Sequence, residues 1–266
     1  MRHILRKYLG DIRYQKFFEK LHTYALEGMN CGGGAYVENS GEAGVVKFIL
    51  KKIADSNPIL FDVGASIGKY TSLIEGVSKE IPGAIIYSFE PSRVAFDTLL
   101  MKMGNKPNIS LHRIGFGDCN KKAKLFYDVE GSELSSLYRR RIRNSNSIMN
   151  LSEEIEIRTI DSFCAEKGIG HIHLLKLDVE GYELCALQGA QEMLRRDAID
   201  FIQFEFSSCN IDSKTYFQDF WWLLNDTYKI YRVVKNGIYP IGDYDEKREI
   251  FSTTNYVAER KNIARI

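Results

Sequence analysis

The 266-residue sequence predicts an α/β domain, a mostly parallel sheet with helices on both faces, and three observations carry that prediction. Between residues 59 and 206, short apolar runs alternate with amphipathic stretches of helical spacing. Two of those runs, at 171–177 and 201–206, are almost continuously apolar, as strands buried on both faces must be. Beyond residue 227 two strand-like runs flank an Asn-Gly pair, so the chain ends in an antiparallel hairpin.

The elements follow in order. Residues 1–28 read as one or two amphipathic helices, with Ile4, Leu5, Tyr8, Leu9 and Ile12 and then Phe17, Phe18, Leu21, Tyr24 and Ala25 at helical spacing. With the glycine-rich loop after Cys31 they make an N-terminal arm over residues 1–38, ahead of a single domain over 39–266. Asn39-Ser40-Gly41-Glu42 opens a helix that Asn57-Pro58 ends. Strands are predicted at 59–63, 85–90, 109–114, 171–177 and 201–206, and helices at 70–80, 91–103, 160–166 and 182–196. Pro91 suits a helix start. Residues 123–127 and 154–159 alternate as additional strands. The hairpin runs 228–234 to 238–241, with Asn236-Gly237 in a type I′ turn, and 255–259 is a last strand.

Composition narrows the function. Apolar residues at 44% and charged residues at 27% exclude disorder and fibrous repeats. Lys and Arg number 36 against 35 Asp and Glu, so a protein that coats nucleic acid is not expected and any anionic partner needs a local patch. The five cysteines, Cys31, Cys119, Cys164, Cys185 and Cys209, are odd in number and contain no CxxC. They fit a reduced cytoplasmic protein better than a disulfide framework or a zinc site. No apolar stretch approaches the roughly 20 residues of a transmembrane segment, and the N-terminus is too often charged for a secretory leader.

The sharpest signal is a glycine-rich turn. Asp62-Val-Gly64-Ala65-Ser66-Ile-Gly68 follows an apolar run and precedes a helix, where ligands of α/β sheets bind. Glu90 ends the next strand, 28 positions after Asp62, where a carboxylate can accept both ribose hydroxyls of a nucleoside. Two details favour S-adenosylmethionine over NAD. The turn lacks the full GxGxxG that seats a pyrophosphate on a helix N-terminus. Asp62 would repel a pyrophosphate and suits a cationic amino-acid moiety.

Asp62-Val-Gly64-Ala-Ser66-Ile-Gly68, Phe89-Glu90-Pro91, Lys176-Leu-Asp178-Val-Glu180-Gly181-Tyr-Glu183 and Phe204-Glu205 occur in this order. As a set they resemble the FkbM-type methyltransferases over about residues 39–259, with Ser66 where the family usually has Asn. The resemblance implies a Rossmann-like class I methyltransferase, a seven-stranded sheet with a terminal antiparallel hairpin. It also implies S-adenosylmethionine as cofactor and methyl transfer to a hydroxyl, often on a sugar of a glycan, a glycolipid or a natural product.

Methyl transfer from a sulfonium needs an acceptor oxygen held in line and a group to take its proton. Lys176 and Asp178 lie two apart on a strand and point to one side, at the end of an otherwise apolar run. Glu180 follows in the loop and Glu205 ends the neighbouring strand, so three carboxylates converge. Asp178 is the first choice as general base. Alternatively, Asp178 and Glu205 bind Mg²⁺ and acidify the hydroxyl. Glu180 and Glu183 also suit caps of the following helix.

Further candidates are weaker. Gly117 and Asp118 follow a strand near the adenine position, and Glu42 with Pro91 lies in segments close to the cofactor in similar sequences. Ser135 and Ser136 suit an acceptor site. Arg139 and Arg140 open a basic run, through Arg143, able to clamp a phosphate or carboxylate of the acceptor. His171 and His173 read as structural, and Trp221 and Trp222 as core. The apolar face of the arm suits packing against a second copy of the chain, and its charge suits anionic lipid. Two competing readings are a nucleic-acid ribose 2′-O methyltransferase and a non-catalytic binding module of the same fold. The chain lacks the Asn/Asp-Pro-Pro-aromatic segment used on exocyclic amines, and its basic run is short.

Overall fold

The computed structural model describes residues 8–33, 40–53, 57–140 and 148–262. After an N-terminal helix, α1 (Gln15–Gly28), and α2 (Glu42–Lys52), strands and helices alternate: β1 (Ile59–Val63), α3 (Lys69–Ser78), β2 (Ile85–Phe89), α4 (Arg93–Met103) and β3 (Ile109–His112). Three strands then form a small separate sheet: β4 (Gly115–Phe116), β5 (Lys121–Tyr127) and β6 (Leu151–Arg158), in the order β4-β6-β5. The main sheet resumes with α5 (Ile160–Lys167), β7 (Ile172–Leu177), α6 (Glu183–Gln188), α7 (Gln191–Arg195) and β8 (Ile199–Phe206). Helices α8 (Cys209–Ser213) and α9 (Phe217–Leu224) precede β9 (Tyr228–Val234), β10 (Gly237–Pro240) and β11 (Thr254–Arg260).

The main sheet has the order β10-β9-β11-β8-β7-β1-β2-β3. Strands β3, β2, β1, β7 and β8 run parallel. Strand β11 is inserted antiparallel between β8 and β9. The fold is therefore the Rossmann-like α/β sheet expected, with eight strands rather than seven because β10 extends the edge. Side chains alternate between two cores, as the strand period requires. Leu60, Ile86, Leu174, Phe201 and Val257 pack against α2 and α3. Phe61, Phe89, Leu175, Ile202 and Phe204 pack against α5, α6, α7 and α9. Each such fully buried side chain contributes roughly 1.5–3 kcal/mol of transfer free energy. All six residues of β7 and all eight of β8 are buried, which explains their high apolar content and leaves their few polar side chains in need of partners.

Several local expectations change. The hairpin turn is Lys235-Asn236, one residue earlier than predicted, and both residues have negative φ, so it is not type I′. The helix predicted over 182–196 is two helices. Asp161 accepts from Glu192 N and Met193 N at 2.9 and 3.1 Å, capping α7 as a fresh start. Gly189, between them, lies so close to the β4 segment that a Cβ there would sit 2.0 Å from Gly117 O. Helices α8 and α9 add to the predicted elements, and in α9 Phe217, Phe220 and Leu224 stand at helical spacing and are buried. Trp221 packs on the core as expected, but Trp222 is exposed.

Hydrogen bonds fasten the base of the arm to the sheet. Asn30 Nδ2 donates to Ser40 O and Val233 O at 3.0 and 3.1 Å, and Gly32 N donates to Thr253 O at 3.0 Å. Helix α1 buries no residue. Ile4, Leu5 and Asn39 lie outside the described residues. All five cysteines are free thiols. Among the described residues no helix is long and apolar enough to cross a membrane.

Candidate active site

The turn after β1 is built on backbone that only certain residues tolerate. Gly64 has φ +83°, and a Cβ there would lie 1.8 Å from Asp178 O, so glycine lets the β1 and β7 loops touch. Gly64 N and Ala65 N both donate to Phe89 O, at 2.9 and 3.0 Å, which ties the turn to the end of β2. Ser66, at φ +46°, aims its N–H at Glu90 Oε2 (2.9 Å), and Ser92 N donates to Glu90 Oε1 (2.8 Å). Burial nevertheless pushes the Glu90 carboxyl up to about 7, against the lowering by these two donors.

Asp62 occupies a different place from Glu90. Its carboxylate is buried and accepts from Thr71 Oγ1 at 2.6 Å, and that hydroxyl also meets Ser88 Oγ at 2.9 Å. Burial raises Asp62 to about 6. It braces α3 against β1 and β2 and does not line the cleft.

The second half of the site grows from β7. Lys176 is fully buried, with Nζ 2.9 Å from Asp178 Oδ2, 3.7 Å from Glu42 Oε1 and 5.3 Å from the Tyr70 ring centroid. Burial alone would push this ammonium down; Asp178 and Glu42 hold it above its ordinary value. Gln203 Nε2 donates to Glu42 Oε1 at 2.7 Å, and Gln203 Oε1 accepts from Tyr70 Oη at 2.7 Å. Burial, then Asp178 and Glu180, push the Glu205 carboxyl well up. Asp178 therefore faces a counter-charge, whereas burial and acidic neighbours raise the Glu205 carboxyl.

The loop after Asp178 is tightly held. Glu183 accepts from Val179 N at 2.9 Å and from Gly181 N at 3.1 Å, so it closes the loop ahead of α6. Glu180, at φ +53°, instead pairs with Arg140, whose Nε lies 3.8 Å from Asp212 Oδ2. Ser136 Oγ donates to Glu180 O at 2.7 Å.

These parts surround one cleft of about 620 Å³, open solvent included. Gly64, Ser66, Glu90 and Pro91 form one wall, Asp178 and Glu180 another, and Ser135 lines the mouth. Phe116, Leu125, Ile155 and Ile157, mostly from the small sheet, form an apolar end. Ala65 and Gly68 shape the turn from behind. Glu42, Lys176 and Glu205 stand behind Asp178, outside the lining. Gly117 and Asp118 lie off the cleft, where Asp118 pairs with Lys121 at 2.9 Å, and Gly115 and Phe116 line it instead. Arg139 turns away to Met149 O and Asn150 Oδ1, both at 3.1 Å. Arg141 to Arg143 lie outside the described residues.

Sequence reasoning missed Thr71, Ser88, Tyr70 and Gln203, which satisfy the buried charges. Their only signal was that a buried carboxylate or ammonium needs partners. It also missed the apolar end of the cleft, whose residues read as ordinary strand core.

Among the described residues, only His171, His173 and Asp200 bring three potential ligand atoms within 4.8 Å, and neither Asp178 nor Glu205 belongs to such a group. Ile59 N donates to His173 Nδ1 at 3.0 Å, so the ring proton sits on Nε2 and neither nitrogen suits a metal. Asp200 bonds His171 Nε2 at 2.9 Å and Arg260 Nη2 at 2.7 Å. This cluster anchors β7, β8 and β11, as the structural reading of the histidines expects.

The sequence matches the family described as the Methyltransferase FkbM domain over residues 62–231, from the acid of the glycine turn into β9. The chain belongs to the FkbM methyltransferase family. FkbM relatives are distant. Methyltransferase 1 of Beauveria bassiana is 25% identical over 171 residues, 59% of this chain and 67% of that protein. The hexuronic acid methyltransferase AglP of Haloferax volcanii is 22% identical over 174 residues, 65% of each chain. The crystal structure of an FkbM methyltransferase from Methylobacillus flagellatus matches 81% of this chain at 19% identity and a TM-score of 0.46. This chain spans only 47% of that one.

An FkbM protein is an S-adenosylmethionine-dependent methyltransferase, and the cleft fits that cofactor. Ser66 Oγ is buried at the wall without a hydrogen-bond partner among the described residues. The Glu90 carboxylate stands at the end of β2, and the apolar end suits a flat heteroaromatic ring.

Proposed function

We propose that the protein transfers the methyl group of S-adenosylmethionine to a hydroxyl of a sugar-bearing acceptor, with Asp178 as general base. The observation that carries this reading is the Lys176–Asp178 pair: a buried ammonium 2.9 Å from a carboxylate on the cleft wall. Bound in the cleft, S-adenosylmethionine supplies an electrophilic methyl on a sulfonium. Glu90 would hold the ribose hydroxyls, Ser66 Oγ and the Gly64 turn the amino-acid end, and Phe116 with Ile157 the adenine. Asp178 Oδ1 takes the hydroxyl proton while Oδ2 stays bonded to Lys176. The acceptor oxygen is then a better nucleophile, and the ammonium keeps the base from drifting. Ser132 and Ser135 give the mouth a hydroxyl-rich side that suits a polyhydroxyl acceptor, and the hexuronic acid relative supports a sugar. Five free thiols support a cytoplasmic setting.

Asp178→Asn keeps shape and removes the base. It is expected to lower kcat by about 10²-fold or more and to leave S-adenosylhomocysteine affinity, measured by calorimetry, unchanged. EDTA is expected to leave the wild-type rate unchanged, because a carboxylate that takes the proton directly needs no metal. A wild-type rate in the folded Asp178→Asn protein would remove Asp178 from the chemistry.

A further inference from the structure

We infer that the acceptor sits on the β8–β11 side of Asp178, where Glu205 and Asn255 hold a hydroxyl next to the one that is methylated, so that the acceptor is a vicinal polyol. Its seat is defined from Asp178 and so rests on the reading of that residue as the base. Two rows of polar side chains cross the sheet on the face that packs against α2 and α3. In the inner row Asp62, Lys176 and Gln203 stand in register across β1, β7 and β8. Each has a partner: Thr71 for Asp62, Asp178 for Lys176, and both Tyr70 and Glu42 for Gln203. The outer row stands two residues nearer the carboxyl edge, and the strand period turns it to the same face. It consists of Asp178, Glu205 and Asn255. Asn255 is the register partner of Glu205 on β11, and residues directly opposite in an antiparallel pair share a face.

The outer row is not satisfied. Asn255 is 4% exposed, and its Oδ1 is buried without a hydrogen-bond partner among the described residues. Glu205 is 9% exposed, and among the described residues it takes part in no hydrogen bond. Burial, then Asp178 and Glu180, raise its carboxyl, with Lys176 opposing. A buried acceptor left without a donor costs stability. The inner row shows that this sheet supplies partners where the fold alone needs them. Two neighbouring groups without partners, beside the carboxylate on the cleft wall, are what a site completed by its ligand looks like.

The chemistry of the pair selects the ligand. Asn255 Oδ1 and the Glu205 carboxyl present oxygens, so the ligand brings the donors. Hydroxyls do this, and a hydroxyl is what Asp178 acts on. Neighbouring strands lie about 4.8 Å apart. One ring can therefore offer a hydroxyl to Asp178 and the adjacent hydroxyl to Glu205, with Asn255 completing the second contact. A cationic donor in the same place would meet the Lys176 ammonium, 2.9 Å from Asp178. The base of the arm bounds the far side of the row. Gly32 N bonds Thr253 O, two residues before Asn255, and Asn30 Nδ2 bonds Ser40 O, two residues before Glu42.

The test reads binding and stability on the full chain saturated with S-adenosylhomocysteine. The probes are the methyl glycosides of glucose, galactose and mannose, titrated by NMR. At least one is expected to bind the wild type, and one or more of its 2-, 3- and 4-deoxy analogues should bind at least about tenfold more weakly, as when a site built for a hydroxyl loses it. Asn255→Val should weaken the intact glycoside by a similar factor, and Asn255→Ala, which takes less space, should do the same. Both variants should keep wild-type affinity for S-adenosylhomocysteine and melt no lower than the wild type, because they remove a buried group that had no partner. A structural asparagine would behave in the opposite way. The inference is overturned if the wild type binds none of the three glycosides, if every deoxy analogue binds as well as its parent, or if both variants bind the glycoside unchanged. It is also overturned if both variants melt more than about 4 °C lower. Asp178→Asn keeps an oxygen in place and should still bind the glycoside, so a failure of Asp178 as base, which is read as a rate, is seen separately.

Discussion

A carboxylate that accepts two backbone N–H groups ordinarily titrates low, yet Glu90 is raised to about 7 because burial outweighs both donors. Near neutral pH it is therefore half-ionised, and its strength as an acceptor for ribose hydroxyls depends on pH. Affinity for S-adenosylhomocysteine is expected to rise between pH 6 and pH 8 as the carboxylate forms, since hydrogen bonds to a charged acceptor are the stronger ones. Glu90→Ala should lose about 1–3 kcal/mol of binding at pH 8 and flatten that dependence. Calorimetry at three pH values checks both, and a folded variant with wild-type affinity would take Glu90 out of the cofactor site. The same contrast between neighbouring acids separates the roles of Asp178 and Glu205. One has an ammonium at 2.9 Å; the other has burial and three acidic neighbours pushing it up.

At the scale of elements, the close approach of α6 and α7 to β4 is the most demanding junction. Gly189 has an ordinary backbone conformation, so alanine there would be tolerated but for Gly117 O at 2.0 Å from the new Cβ. Gly189→Ala is expected to destabilise the fold by roughly 2–4 kcal/mol. It should also weaken S-adenosylhomocysteine binding, because Phe116 beside Gly117 lines the cleft. Urea unfolding and calorimetry read the two effects, and a variant of unchanged stability would show that the junction yields. The break at Gly189 was not legible in the sequence: residues 182–196 keep helical spacing throughout, and the cap comes from Asp161, far away in the chain. Helix α9, Phe-Gln-Asp-Phe-Trp-Trp-Leu-Leu, was legible in principle, since Phe217, Phe220 and Leu224 stand at helical spacing, but at eight residues the signal is short. Strands β7 and β8 were legible because short runs rich in Ile, Leu and Phe suit a doubly covered sheet. The glycine turn and Glu90 were legible because backbone constraint and spacing are local. Thr71, Gln203 and Tyr70 were not, because what makes them matter is the buried charge they face across the fold.

For the molecule as a whole, the buried acids set how stability responds to pH. Asp62 at about 6, Glu90 at about 7 and Glu183 at about 7 are all raised by burial. A raised acid contributes stability that is complete below its unfolded value of about 4 and is lost as pH rises through its folded value. The thermal midpoint is therefore expected to fall between pH 5.5 and pH 8, by an amount equivalent to about 1–3 kcal/mol. Asp62→Asn, which still accepts from Thr71, should flatten part of that slope in scanning calorimetry. A midpoint that does not move over this range would mean that these acids are ionised at little cost. The order of the main sheet has a consequence for how the protein is made. Strand β8 is buried along its whole length, but the neighbour that covers one of its edges, β11, follows it only after α8, α9 and the β9–β10 hairpin. On the ribosome, therefore, the parallel half of the sheet is complete while β8 still offers a bare row of N–H and C=O groups. Such an edge is a template for other chains. A message cut short before Thr254 would yield a product that aggregates, not a weaker enzyme, and synthesis has to run past β11 before the fold can protect itself.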